Sequence, residues 1–518
     1  MRDDRAQDFA YQAADAERRR HLADEAANGL LSRQPQASAA LGFPLRQIVG
    51  LCAPLVYLVA LAAISAHAAT ALFALCVAAL LVLISLRIAA ATLPPRWANR
   101  RRLSRRDLPV VSVLAPVYRE ARVLPQLLRS LTRLDYPSAR LDIKIIVEAD
   151  DLQTLDAARR LERHYRFETV CVPAGAPRTK PRALNYALHF ARGEIVTVYD
   201  AEDCPHPGQL RAAAEAFAAG SEDLACVQAP LNWFNADRNW MTRQFALEYA
   251  AQFHAILPLL ARFRLPLPLG GTSNHFRKSA LNAVGGWDPH NVTEDADLGF
   301  RLCANGYRSD VIAPMTMEEA PERLRPWMRQ RTRWLKGHAQ TWAVHMRDPL
   351  GLCEAAGPGA LASLNVTLGA TVLSALLHGP AALYCLVQIS LALTTGSLAI
   401  IGLGLLAAGY GAAMLCAAAG ARRAGVPVRA VDLCRMPLYW PLQTIAAICA
   451  LRELQVRPYF WAKTEHGFTA APDTPCLSNS HSPSWRSARS SLPSRRGAPN
   501  IQPIRQKVRA SSPGPLSP

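Results

Sequence analysis

Two short acidic runs, Glu148-Ala149-Asp150-Asp151 and Asp200-Ala201-Glu202-Asp203, are the first candidates for chemistry in this sequence. Each follows an apolar run, residues 143–147 and 195–199, of the kind that forms a buried strand. Carboxylates crowded at neighbouring strand ends repel one another, so a folded chain must meet them with a cation or with hydrogen-bond donors. A plainer role exists too: Asp151, just before a helical pattern at 152–165, could serve only as an N-cap. Two such clusters, with no glycine-rich phosphate loop elsewhere, favour a divalent cation that carries a diphosphate. The cation neutralises charge that backbone amides would otherwise cradle.

These runs need a scaffold that brings strand ends together. Apolar runs at 110–114, 143–147, 169–172, 195–199 and 224–229 alternate with helical patterns. That alternation predicts an α/β fold with a mostly parallel, three-layered sheet over residues 108–348, in which ligands bind beyond the carboxyl ends of the strands. The region 322–347 adds Trp327, Trp334 and Trp342 among Arg323, Arg325, Arg329, Arg331, Arg333 and Lys336. By composition it reads as a basic amphipathic helix lying on an anionic membrane leaflet.

The rest of the chain explains its composition. Of 518 residues, 50% are hydrophobic and 19% charged. The apolar ones concentrate in two blocks, 43–93 and 359–451, which excludes a wholly soluble enzyme. The first block predicts a hairpin of two spans, 48–66 and 69–91, with the turn at His67 and Arg87 near enough to the end to snorkel. The second predicts a span at 361–393 interrupted at Gly379-Pro380, either a kinked helix or two short pieces, then a span at 398–420, and a re-entrant or interfacial helix at 436–451. Arginines 96, 100, 101, 102, 105 and 106 place the flanks of the hairpin, and with them the central domain, in the cytoplasm. Residues 1–42 are polar and predict disorder or a solvated helix, and the Ser-, Pro- and Arg-rich tail at 468–518 predicts disorder. Span-flanking and tail arginines account for a net charge of +18 without nucleic acid. The 12 cysteines are dispersed and show neither a C-x-x-C pair nor a disulfide framework.

Six motifs in order resemble glycosyltransferase family 2, in particular its membrane-integrated branch of cellulose-synthase-like and other polysaccharide synthases. Ala115-Pro116-Val117-Tyr118-Arg119-Glu120 is similar to the first-strand motif, and Asp150-Asp151 to the aspartate pair that meets the nucleotide. Lys180-Pro181-Arg182-Ala183-Leu184-Asn185 is similar to a lysine-to-asparagine element, and Asp200-Ala201-Glu202-Asp203 to the metal-binding D-x-D. Thr293-Glu294-Asp295 looks like the T-E-D that holds the base, and Gln330-Arg331-Thr332-Arg333-Trp334 like the Q-x-x-R-W of processive members. The resemblance implies a Rossmann-like GT-A domain flanked by transmembrane helices, in a multi-pass protein of the inner (plasma) membrane.

The resemblance also implies roles. Asp295 would be the base, with Asp297 as a neighbour of the same type and an N-cap at 295 as the competing role. Asp200 and Asp203, with Glu202 as substitute, would hold Mg2+ or Mn2+. Glu120, Asp150, Asp151, Lys180, Asp200 and Arg333 would bind the donor, and Trp334, Gln330 and Glu294 the acceptor. Arginine forks suit diphosphate oxygens, and an indole face suits the C–H surface of a sugar. Residues 455–467 are similar in position to a gating segment. The implied activity is inverting, metal-dependent transfer from a nucleotide sugar, a UDP-sugar foremost, onto a growing β-linked polysaccharide. The alternatives are one sugar moved to a lipid acceptor, or a non-catalytic membrane scaffold of the same fold. Membrane lipids and export-complex subunits are the further partners it suggests.

Overall fold

The computed structural model describes residues 2–42, 45–390 and 397–461. The five apolar runs become strands because Val- and Ile-rich segments buried on both faces fit a covered, mostly parallel sheet. The strands are β1 (Val111–Val117), β2 (Leu141–Glu148), β3 (Glu168–Val172), β4 (Ile195–Val198), β5 (Cys204–Pro205), β6 (Leu224–Gln228), β7 (Leu231–Trp233), β8 (Asn274–Arg277), β9 (Arg308–Val311) and β10 (Thr316–Glu318). Seven form one sheet in the order β3-β2-β1-β4-β8-β6-β9, and β5-β10-β7 form a second, small one. Only β8 runs against its neighbours β4 and β6. The carboxyl ends of β1, β2, β4 and β6 therefore share one edge, and the loop that enters β8 starts there too. Pro116 lies past Leu114, the last β1 residue paired with β4, where a missing N–H is tolerated.

Strands β8 and β9 carry polar side chains such as Asn274, His275, Arg277, Arg308 and Asp310, so no apolar run announces them. The sheet is mostly parallel, as expected, with β8 as its one antiparallel member.

Residues 2–42 are neither disordered nor a free helix. Helix Arg2–Arg33 buries Ala23, Ala26, Ala27 and Leu30, a stripe at helical spacing, and packs on helix Lys180–Leu188. Three of those four side chains are alanines, which fill a close interface yet add little hydropathy. Beyond it, Asp288 accepts from Ser38 Oγ at 3.1 Å and Ala39 N–H at 2.6 Å, while the Arg347 guanidinium donates to the carbonyls of Gln36, Ser38 and Gly42.

The apolar blocks form helices Leu45–Ile64 and Ala66–Thr92, then Pro358–Leu364 continuing through a π-helical turn (Asn365–Gly369) into Ala370–Ser390, then Ser397–Ala424 and Met436–Val456. Among the described residues, Ala66–Thr92, Pro358–Val387 and Ile400–Ala424 are long and apolar enough to cross a membrane. The hairpin turns at Ser65, whose hydroxyl accepts from Ala68 N–H, and not at His67. Nor does Pro380 split its helix. The Thr444 hydroxyl accepts from Gly379 N–H at 3.0 Å and donates to Ala375 carbonyl at 2.6 Å, relaying a helical bond that the proline region would otherwise lose. The tail at 468–518 and positions 462–467 of the expected gating segment lie outside the described residues.

Arg423 joins the helices to the central domain. Its guanidinium donates to the carbonyls of Ala90, Ala91 and Leu93 at the end of helix Ala66–Thr92, and to His254. A cation there satisfies orphaned carbonyls and complements the negative end of the helix dipole.

Candidate active site

The shared strand edge opens into a cavity of about 1530 Å3 whose wall includes Glu120, Glu148, Lys180, Asp200, Glu202, Glu294, Asp295, Gln330, Arg333 and Trp334. At its centre is Lys180, the first residue of helix Lys180–Leu188. Its Nζ lies 2.5 Å from Asp200 Oδ1 and donates to Gly271 carbonyl at 2.7 Å. Burial alone would lower this lysine's pKa, but the charges of Asp200, Glu294 and Asp295 outweigh it and raise the value, so the ammonium stays charged. A methyl group at Gly271 would lie 3.4 Å from Asp295 Oδ2 and 3.7 Å from Lys180 Nζ, so both groups border that glycine.

Glu294 and Asp295 open helix Glu294–Ala304, with Thr293 in the N-cap position. Asp295 is therefore not the cap. Helix Leu324–His345 reaches this turn through Gly337, where a Cβ would stand only 2.4 Å from Thr293 atoms. Burial raises the pKa of both Glu294 and Asp295, with mutual repulsion adding for Glu294, while Lys180 and Arg333 pull the other way. Asp297 is excluded as the base. It is fully buried, accepts from Arg301 Nε at 2.9 Å and lies 3.1 Å from His345 Nε2.

The acidic runs divide into working and structural members. Asp203 does not face the cavity: its Oδ2 accepts from Asp200 N–H at 2.8 Å and from the Thr272 hydroxyl, which fixes the turn after β4. Asp200 and Glu202 are the members of that run that line the cavity, so of the expected Asp200–Asp203 metal pair only Asp200 faces it, with the substitute Glu202 beside it. Burial, then repulsion from Asp200, raises the Glu202 carboxyl. Glu318 at the end of β10 joins this group and was missed from sequence. Burial and the charges of Asp203, Glu202 and Asp200 push its pKa well up, and its Oε1 has no hydrogen-bond partner. Among the described residues no three His, Cys, Asp or Glu side chains form a ready metal cage. Two carboxylates suit an ion such as Mg2+, which takes its remaining ligands from water and phosphate oxygens.

After β2 the pattern repeats. Asp151 caps its helix at Thr154 N–H (3.2 Å) and accepts from Arg119 N–H, holding the φ +55° turn between Tyr118 and Glu120. Asp150 pairs with Arg178 at 2.7 Å on the exposed rim. Neither lines the cavity, whereas Glu148 and Glu120 do. The aspartate pair expected to meet the donor thus shapes the pocket from behind.

Glu148 supplies a test. Burial raises its carboxyl from 4.5 to about 7, with Arg182 and Arg178 opposing. A folded pKa above the unfolded one gives stability that is full below 4.5 and lost as pH rises through about 7. The melting temperature of the ligand-free protein is expected to fall across that window, and Glu148→Gln to flatten the fall; equal slopes would contradict it.

In the Q-x-x-R-W element the two arginines do different work. Arg331 makes a forked pair with Glu248 (2.6 and 2.5 Å) and stacks over Phe245, Trp327 and Trp334. Arg333 donates to Val292 carbonyl at 3.4 Å, lies over Trp461 and faces Glu294, Asp295 and Asp200, leaving its Nε without a partner. Trp334 stacks on Tyr249 and keeps an edge on the cavity. Gln330 presents a buried Oε1 that lacks a donor. Trp461, Phe460 and Tyr459 all reach the cavity wall, so the described part of the expected gating segment borders the site.

Carboxylates, a lysine and an arginine thus gather at the carboxyl edge of an α/β sheet, the place where ligands bind in such folds. Residues 109–337 match the family model described as glycosyltransferase like family 2. The chain is 30% identical over 251 residues to a Bacillus subtilis protein named "Probable glycosyltransferase YdaM", a match covering 47% of this chain and 58% of that protein. It is 27% identical over 256 residues to the beta-monoglucosyldiacylglycerol synthase of Trichormus variabilis, covering 47% and 53%. The chain thus spans just over half the length of these curated relatives. Among solved structures, mannosyltransferase PcManGT from Pyrobaculum calidifontis, in complex with GDP-Man and Mn2+, shares 21% identity at a TM-score of 0.47. That likeness covers 73% of this chain and 95% of the other.

Proposed function

We propose that the protein is a membrane glycosyltransferase that moves one sugar, with inversion, from a nucleoside-diphosphate sugar (a UDP-sugar foremost) to a lipid acceptor. The observation that carries this reading is the course of the cavity. From Asp295 and Trp334 it continues between helices Ala66–Thr92, Ala370–Ser390 and Ser397–Ala424, past Phe73, Leu83, Leu377 and Leu406. An acyl or isoprenoid chain is matched by such walls, while a polysaccharide would find few partners there for its hydroxyls. The name of the Trichormus relative fits a lipid acceptor as well. The apolar helices and the arginine-rich flanks support a multi-pass protein of the inner (plasma) membrane with its catalytic domain in the cytoplasm.

In this mechanism Asp295 takes the proton of the acceptor hydroxyl as its oxygen attacks the anomeric carbon. Lys180 keeps Asp200 and Asp295 in register and lowers the cost of their charges. Arg333 aims its free Nε at the region where phosphate charge develops. A divalent ion between Asp200 and Glu202 would offset charge on the departing diphosphate. Glu120 and Glu148 form the floor that receives the nucleoside.

A second reading, repeated addition to a β-linked polysaccharide, is favoured by the Q-x-x-R-W element and the aromatic border at Tyr459–Trp461. Product length separates them. Membranes given labelled nucleotide sugars should yield solvent-extractable lipid with a single sugar; a water-soluble ladder of products would replace the first reading by the second.

A further inference from the structure

Within the apolar limb of the cavity one feature is out of place. Arg87 lies on helix Ala66–Thr92, five residues before its end, which is about 7.5 Å along the axis. It lines the cavity together with His378, Tyr410 and Cys416, side chains from the two facing helices. No carboxylate among the described residues pairs with it, whereas Arg423 donates to the carbonyls of Ala90, Ala91, Leu93 and His254. Tyr410 and His378 form a polar ledge beside it: Oη and Nε2 are 3.3 Å apart, and Trp440 packs on both rings at 5.0 and 5.5 Å. An unpaired charge in an apolar chamber is costly, and its usual reason is a ligand of opposite sign. At that depth, one turn inside the end of a candidate span, the anion that a membrane supplies is a lipid phosphate.

We propose that Arg87 is the headgroup anchor of the acceptor, and that the acceptor is an anionic phospholipid with a free hydroxyl beyond its phosphate. The phosphate rests on the Arg87 guanidinium with the Tyr410 hydroxyl beside it, and the acyl chains lie between the three apolar helices. The headgroup hydroxyl extends toward Asp295. Its oxygen forms the new bond to the anomeric carbon, the bond from that carbon to the diphosphate oxygen breaks, and the hydroxyl proton passes to Asp295. The inference rests on the lipid-acceptor reading above and adds to it the charge of the lipid and the residue that selects it. A simple snorkelling arginine would show no such selection.

The test uses the full chain in phosphatidylcholine nanodiscs doped with equal amounts of phosphatidylglycerol and diacylglycerol, with the lipids retained after detergent extraction counted by mass spectrometry. Wild type is expected to retain phosphatidylglycerol selectively, Arg87→Gln to lose that preference about tenfold or more, and Arg87→Lys to keep part of it. Arg422→Gln, at an exposed position, should match wild type. Undiminished preference in Arg87→Gln, or none in wild type, would overturn the proposal, the latter meaning that bulk lipid merely fills the space. So would displacement of the lipid by millimolar inorganic phosphate, which would mark a site for a free anion. Nucleoside-diphosphate binding, measured by calorimetry with Lys180→Ala as control, reports the transferase reading separately. Its loss with lipid selection intact would sink that reading and leave Arg87 as a lipid site.

Discussion

Asp295→Asn is expected to lower the rate of sugar transfer by about 10^3-fold, within the range for losing a positioned general base, while leaving the fold and donor binding intact. The substitution keeps size and shape and removes the proton-accepting carboxylate together with its charge, leaving Asp200 and Glu294 to face Lys180 and Arg333. Thr293 holds the N-cap position of helix Glu294–Ala304, and the amide oxygen of an asparagine at 295 can still accept from the Ala296 N–H that the carboxylate meets. The pH dependence has a definite sign. Burial raises the Asp295 pKa, and the working form is the anion, so activity falls as pH drops through that raised value. Glu294→Gln removes a neighbouring negative charge and should move the acid limb of the profile to lower pH. Initial rates across pH for the two variants and wild type check both points; an unshifted limb would mean that another group titrates.

The second large effect separates the two arginines of one motif. Arg331→Ala should destabilise the protein by about 1.5–3 kcal/mol, because it removes a forked, charge-assisted pair to a carboxylate that stays partly solvated. The residue left behind is Glu248, which accepts from both ends of the guanidinium fork, and three aromatic faces lose their cation as well. Arg331→Lys cannot restore the fork and should recover little. Arg333→Ala, by contrast, breaks no forked ion pair: it removes one long bond to Val292 carbonyl, the contact with Trp461 and a cation facing three acids, so it should melt nearer wild type than Arg331→Ala yet transfer sugar poorly. Thermal melts in detergent paired with transfer rates distinguish them. Equal destabilisation by the two substitutions would contradict this division of labour.

Much of this site was legible because chemistry and fold share one signal. Apolar strand runs ending in acids placed Glu148–Asp151 and Asp200–Asp203 on one sheet edge, and Asp295, Lys180 and Arg333 came to the same cavity. What sequence could not tell was which acid of each run faces inward. Asp151 and Asp203 spend their oxygens on backbone amides and a threonine hydroxyl, a choice made by turn geometry and not by composition. Glu318 was invisible because β10 is a three-residue strand in a separate sheet. Helix Arg2–Arg33 looked solvated because its buried stripe is mostly alanine. Gly379-Pro380 looked like a break because the Thr444 relay comes from a distant helix.

The central claim is that these carboxylates transfer a sugar to a lipid. Its most direct measurement is mass spectrometry of the lipid extract after the purified chain, in nanodiscs, is given a panel of isotope-labelled nucleotide sugars with Mg2+ or Mn2+. The account predicts lipid heavier by one labelled sugar in wild type and none in Asp295→Asn. Label on lipid in both proteins alike, or in neither, would contradict it.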